Sequence, residues 1–97
     1  MEIDFETVLW ESNSDAAWVF ASVPADRADE IDELVPSKAG FGSVKVKVVI
    51  GDTSWETSLF PDKKRETFVL PVKKQVRDAQ GVTIGDVVRV HLEIETD

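Results

Sequence analysis

The chain has no cysteine, which excludes disulfides, thiolate metal sites and a cysteine nucleophile. It has one histidine, His91, and a lone imidazole cannot build the histidine-rich shell that zinc prefers. Long apolar runs are missing: the longest, Ala16 to Ala21, covers six residues, where a membrane span takes about 20. No targeting leader is expected, since Met1-Glu2-Ile3-Asp4 is acidic where such a segment is basic. At 97 residues there is no room for two domains with a catalytic cleft between them. The expectation is one soluble, cytoplasmic domain over residues 1–97, with no metal, no cofactor and no membrane contact.

What is present is acid. The formal net charge is −8, and residues 1–50 hold ten acids against four bases. A body of this polarity repels nucleic acid at long range and keeps itself soluble. Yet hydrophobic residues make up 42%, with three Trp and five Phe, so the chain is not a disordered acidic tail.

The strand signals are strong. Val44, Val46, Val48 and Ile50 alternate with Lys45, Lys47 and Val49, the period of a half-buried strand. Gly51-Asp52 follows, a two-residue loop with glycine first, as a type II′ hairpin turn needs. That turn sets Trp55 opposite Val48, Leu59 opposite Val44 and Glu56 opposite Lys47. One face is then apolar or threonine, and the other pairs opposite charges. Val88 to Ile94 alternates just as well, and Ile3 to Trp10 buries Ile3, Phe5 and Leu9. Trp18 to Val23 is apolar on both faces, and Thr67 to Leu70 forms a shorter strand. Polar loops fall at 11–15 and 61–65.

Two helices complete the pattern. Ala25 to Val35 sets Ala28, Ile31 and Leu34 or Val35 on one face, with Pro24 expected at the first helical position. Val72 to Gln80 is opened by Pro71 and closed by Gly81 as a left-handed cap, with Val82 or Ile84 folding over the end. Strand, strand, proline, helix, glycine, strand therefore occurs twice, in half-repeats of about 1–50 and 53–97. The expected fold is mainly β: a six-stranded, double-split β-barrel with two short capping α-helices and an internal pseudo-twofold repeat. Its core is expected from Phe5, Leu9, Val44, Val46, Val48, Trp55, Leu59, Leu70, Val88, Val90 and Leu92.

The second half, with Leu70-Pro71, Val76-Arg77 and Gly85-Asp86 leading into Val88-Arg89-Val90, resembles the repeating unit of AbrB/MazE-type swapped-hairpin proteins. More of the chain is similar to a family known only as domain of unknown function nineteen-oh-five. The matching residues are Phe5 and Leu9, Trp18 with Val23-Pro24, the Val44 to Ile50 strand, Trp55-Glu56-Thr57-Ser58-Leu59, Leu70-Pro71, Val76-Arg77 and Gly85-Asp86. That resemblance implies a helix-capped split barrel of bacteria or archaea with no established activity. Its relatives are often fused to a bacteriocin-protection domain, for which no room is expected after Asp97. In the connecting loop Lys63-Lys64-Arg65 stands where the family usually has glycines.

Candidate chemistry is sparse. His91 reads as a solvated strand histidine flanked by Arg89 and Glu93. Asp26, Asp29, Glu30 and Glu33 form a carboxylate stripe on the first helix, an interaction face for a basic partner or simply a solvated surface. A straight helix cannot wrap a cation as a loop does. Six bases fall within residues 63–77, where the only acid is Glu66. Of these, Arg77, Lys73 and Lys74 are the candidate anion-binding residues, with Lys63, Lys64 and Arg65 adding field; Arg suits a bidentate contact best. Of the tryptophans, Trp55 is expected in the core and Trp10 is expected to be the most exposed. No nucleophile, base and stabiliser fall together in any motif, so no catalytic residue is assigned. The reading is a non-catalytic binding or interaction module of unknown partner, monomer or homodimer, without duplex nucleic acid. The alternatives are a DNA-binding regulator of the swapped-hairpin class and, third, a small-molecule or anion-binding protein or enzyme.

Overall fold

The hairpin at the centre of the chain forms in the expected register. In a computed structural model, which describes residues 1–13, 18–35 and 42–95, strand β4 (Val44–Ile50) pairs antiparallel with β5 (Thr53–Asp62). Val48 faces Trp55, Val44 faces Leu59 and Lys47 faces Glu56. Gly51 has φ +61 while Asp52 keeps a negative φ, as a II′ turn demands. Helix α2 (Lys74–Gln80) is tied to this turn, because Gln80 Nε2 donates to Asp52 Oδ1 at 2.7 Å and Thr53 Oγ1 at 2.6 Å.

The remaining strands are β1 (Glu2–Val8), β2 (Trp10–Glu11), β3 (Val19–Ser22), β6 (Thr67–Pro71) and β7 (Val87–Ile94). Together with β4 and β5 they make one antiparallel, curled half-barrel in the order β1-β7-β4-β5-β6-β3-β2. Seven strands are found among the described residues rather than six, because the expected first strand breaks at Leu9. Leu9 donates its N–H to Asp86 O at 3.0 Å and accepts from Gly85 N–H at 2.9 Å. On one side of that break β1 pairs with β7, and on the other β2 pairs with β3. The two edges of the sheet are therefore consecutive in the chain. β5 makes the same change of partner without a break: Thr53 to Leu59 pair with β4, and Phe60 to Asp62 pair with β6. Each corner buries a leucine, Leu9 at 1% exposure and Leu59 at 0%.

Ten of the eleven expected core residues are buried, together with Ile3, Ala21, Val23 and Ile94. Trp55 is the exception: it is half-buried and packs on the core from its margin, because its partner strand ends two residues later at the turn. Helix α1 (Ala25–Leu34) buries Ala28 and Ile31 and packs against β6. Pro24 is its N-cap rather than its first helical residue. α2 begins later than expected because Pro71 is the last residue of β6 and Val72 N–H donates to Val19 O at 2.9 Å, which ties the next residue to β3. Gly81 caps α2 at φ +65, with Val82 N–H on Arg77 O at 3.0 Å. Val82 closes over the end, whereas Ile84 is exposed. The expected loop at residues 14–15 and the Gly40 position lie outside the described residues. Among the described residues no helix is long and apolar enough to cross a membrane.

Two stability predictions follow from the corners and the loop. Leu59→Ala should lose about 3–5 kcal/mol and the half-buried Trp55→Ala clearly less, about 1–2. Urea unfolding checks this, and an equal or inverted order would contradict the corner assignment. Glu66 is the one non-glycine residue with positive φ (+55) among those described. Glu66→Gly should raise stability by up to about 1 kcal/mol by removing the left-handed cost of a Cβ, read in the same unfolding assay.

Candidate functional site

Side chains alternate across the β2-β3-β6-β5 sector. Val19, Ala21, Phe68 and Leu70 enter the core, which leaves Trp10, Phe20, Ser22, Val69 and Phe60 for the outer face. Trp10 lies directly opposite Phe20, and their ring centroids are 5.0 Å apart. Its indole N–H donates to Ser22 Oγ at 2.9 Å, the diagonal neighbour on β3, so the ring orientation is set from two sides. Phe20 in turn stacks on Trp18 at 6.1 Å and an interplanar angle of 19°. Trp18, at 51% exposure, is the most exposed tryptophan; Trp10, expected to be so, is half-buried because Arg65 covers it.

Arg65 arrives from the turn between β5 and β6, with its guanidinium carbon 3.7 Å from the Trp10 ring centroid. A cation over an indole face at a partly exposed site contributes about 0.5–1 kcal/mol. Asp62 builds the turn that aims it. Asp62 Oδ1 accepts the backbone N–H of Lys64 at 3.0 Å and of Arg65 at 3.2 Å, while Oδ2 accepts Arg65 Nη1 at 3.2 Å. Burial pushes the Asp62 carboxyl up, but the Arg65 backbone and side-chain hydrogen bonds, the Arg65 charge and the Lys64 N–H outweigh it, and the carboxyl is held below its ordinary value of 3.8. Between the β2–β3 hairpin and this turn lies a groove of about 300 Å³. Trp10, Phe20 and Val69 form its apolar wall, and Glu11, Asn13, Asp62, Lys64 and Arg65 its polar rim. Val69 faces away from the core yet is only 6% exposed.

The other singled-out residues are placed elsewhere. Lys73 caps α2; Lys74 Nζ pairs with Asp78 Oδ2 at 2.7 Å, and Arg77 Nε donates to Val72 O at 3.1 Å. Arg77 is thus turned toward the chain that leads into its own helix. Lys63 and Lys64 are exposed in the β5–β6 turn. Asp26, Asp29 and Glu33 are exposed on α1, and Glu30 pairs with Arg27 at 3.1 Å. His91, expected to be solvated, is instead held by carboxylates: Asp4 Oδ1 lies 3.0 Å from Nδ1, Glu2 Oε1 3.3 Å and Glu93 Oε2 3.6 Å from Nε2. The cross-strand pairing of Asp4 with His91 causes this, and strand periodicity alone does not reveal it. Among the described residues no group of three or more ligating side chains is arranged to hold a metal ion. A wider, open groove of about 740 Å³ sets Lys45 and Lys47 between Glu2, Glu56, Glu93 and Glu95.

The Trp10–Arg65 clamp joins residues that no sequence motif connects. The loop expected at 61–65 was the readable part, although Pro61 and Asp62 lie in β5, paired with Phe68 and Thr67, and the turn covers only 63–66. The identity of the residue that Asp62 would orient, and the aromatic it would cover, was not.

Fold and site define a small, mainly β protein, a curled antiparallel half-barrel with two helices and an aromatic groove on its outer face. The family described as Domain of unknown function (DUF1905) matches residues 5–92, and the chain belongs to that family. No curated protein matches the chain.

The clamp has a pH signature. A carboxyl whose folded pKa is depressed adds stability above its unfolded pKa and loses it as pH falls through the folded value. Carbon-detected NMR of Asp62 should therefore titrate below 3.8, with Trp10 fluorescence changing in the same range. Asp62→Asn should abolish that fluorescence step, and a midpoint at or above the ordinary carboxylate value would mean that the clamp does not form.

Proposed function

We propose that this protein is a non-catalytic binding module whose ligand seat is the outer groove beside Trp10. The observation that supports it is the fixed Trp10: hydrogen-bonded to Ser22, backed by Phe20 and covered by an Arg65 that Asp62 orients. Side chains held in place by neighbours on rigid strands are what a site needs, since little ordering entropy is then lost on binding.

We further propose that the chain is an internal duplication, with β1/β2, β3, α1 and β4 answering to β5, β6, α2 and β7. Exchanging the halves turns β1·β7 into β5·β4 and β2·β3 into β5·β6, and leaves β3·β6 and β4·β7 in place. The hydrogen bond from Val23 N–H to Phe68 O has its counterpart in Val72 N–H to Val19 O, both 2.9 Å. Swapped-hairpin regulators obtain such symmetry by dimerising, whereas here one chain contains both halves. That argues against the DNA-binding reading, as does a net charge of −8. Small-anion binding by Arg77, Lys73 and Lys74 is the lesser proposal, since two of the three already have partners within the chain.

A ¹H–¹⁵N NMR screen of a fragment library against the full chain tests the module. The Trp10 indole and its groove neighbours should shift with one or more fragments, and a labelled duplex should give no anisotropy change at ~0.15 M salt. A silent Trp10 across the library overturns the module, and salt-sensitive duplex binding lost in Arg77→Ala would put the regulator in its place.

A further inference from the structure

We infer that the first half of β5 is a self-association edge: two copies of the chain pair there antiparallel about a twofold axis, with Trp55 against the partner's Trp55. The inference goes beyond the groove and does not depend on it.

The backbone argues first. Phe60 to Asp62 of β5 pair with β6, but residues 53–59 pair with β4 alone, so that half-strand has one open side. The residues flanking a two-residue turn, here Ile50 and Thr53, exchange main-chain bonds. Alternation then turns Thr53, Trp55, Thr57 and Leu59 toward β4. It sends the N–H and C=O of Ser54, Glu56 and Ser58 to the open side. Among the described residues these groups have no partner.

β1 is the other long stretch paired on one side only. Met1 and Ile94 exchange both bonds at 2.8 Å, so Glu2, Asp4 and Glu6 turn their backbone groups outward. A second copy aligned along β1 opposes carboxylates in every register that uses most of the strand, and such charges guard an edge. The β5 edge carries one charge, Glu56, between two serines. It is the less guarded of the two.

A twofold axis leaves few registers. Glu56 against the partner's Glu56 opposes like charges. Ser54 against the partner's Ser54 sets Glu56 on the partner's Asp52. Glu56 against the partner's Ser58 brings Ser54 onto the partner's Phe60, where Val69 already occupies the edge, and pairing the two Ser58 residues brings Glu56 there. One register remains: Ser54 opposite the partner's Glu56, Thr53 opposite the partner's Thr57, and Trp55 opposite the partner's Trp55. The Ser54–Glu56 pairs then carry the main-chain bonds, and the two tryptophans fall at the closer, non-hydrogen-bonded position. Trp55 is half-buried at the margin of the core, and that margin is the one the partner strand closes. Residues 53–57 on each side make a small contact, so the dissociation constant falls at roughly 10 μM to 1 mM.

Sedimentation equilibrium and NMR diffusion of the full chain from ~10 μM to ~2 mM should show monomer passing to dimer and no further, with the Trp55 indole resonance shifting alongside. Each copy carries −8, so association should strengthen as NaCl rises from ~0.05 to ~0.5 M. Within its own chain Ser54 faces Val49, so a charge at 54 should leave the unfolding midpoint of the monomer unchanged. Ser54→Lys, opposite the partner's Glu56, should tighten the dimer at least about threefold, and Ser54→Glu should weaken it at least about tenfold, since the pair counts twice about the axis. Adding Glu56→Lys to Ser54→Glu should recover most of that loss. A chain that stays monomeric throughout, assemblies larger than two, a dimer that salt dissociates, or one indifferent to both Ser54 charges overturns the inference.

Discussion

Everything in this molecule depends on burying a leucine at each of two places where the sheet changes partners. At Leu9 the chain leaves the β7 ladder and joins β3; at Leu59 it leaves β4 and joins β6. A sheet that curls must turn such corners, and an apolar side chain at each one fills the space the bend encloses. Because β1 and β2 are separated by Leu9 alone, one continuous stretch of chain supplies both edges of the sheet. Ala28 and Ile31 of α1 and Val76 of α2 complete the enclosure.

The corners also decide where chemistry can gather. Past Leu9 and Leu59 the two strands run side by side with β3 and β6 between them, so the β2–β3 hairpin and the β5–β6 turn come to the same outer face. Trp10 and Arg65 meet there although 55 positions separate them. The basic loop that looked like a diffuse source of positive field contributes one cation to a fixed contact, while Asp62 neutralises much of its charge locally. The acidic surplus lies elsewhere, including the exposed carboxylates of α1. Fold by itself implies no function, and membership of a family without an assigned activity adds none. The functional reading therefore rests on the groove, where orientation is fixed by named partners, rather than on helix α2, whose cations are engaged within the chain or stand in solvent.

How much was legible in the sequence follows from how local each determinant is. The amino-acid sequence by itself determined the β4–β5 register, because a period of two with one apolar face allows a single alignment about the Gly51-Asp52 turn. It determined the Gly81 cap and, to within two residues, both helices, since caps and turns depend on neighbours a few positions away. Only the tertiary structure decided that the first strand breaks at Leu9, that Pro71 remains in the sheet with Val72 tied to β3, and that His91 lies among Glu2, Asp4 and Glu93. Only it decided that Arg65 covers Trp10 and leaves Trp18 exposed. In each of these the partner lies far along the chain, and residues in one strand do not specify which distant side chain the folded sheet will bring against them.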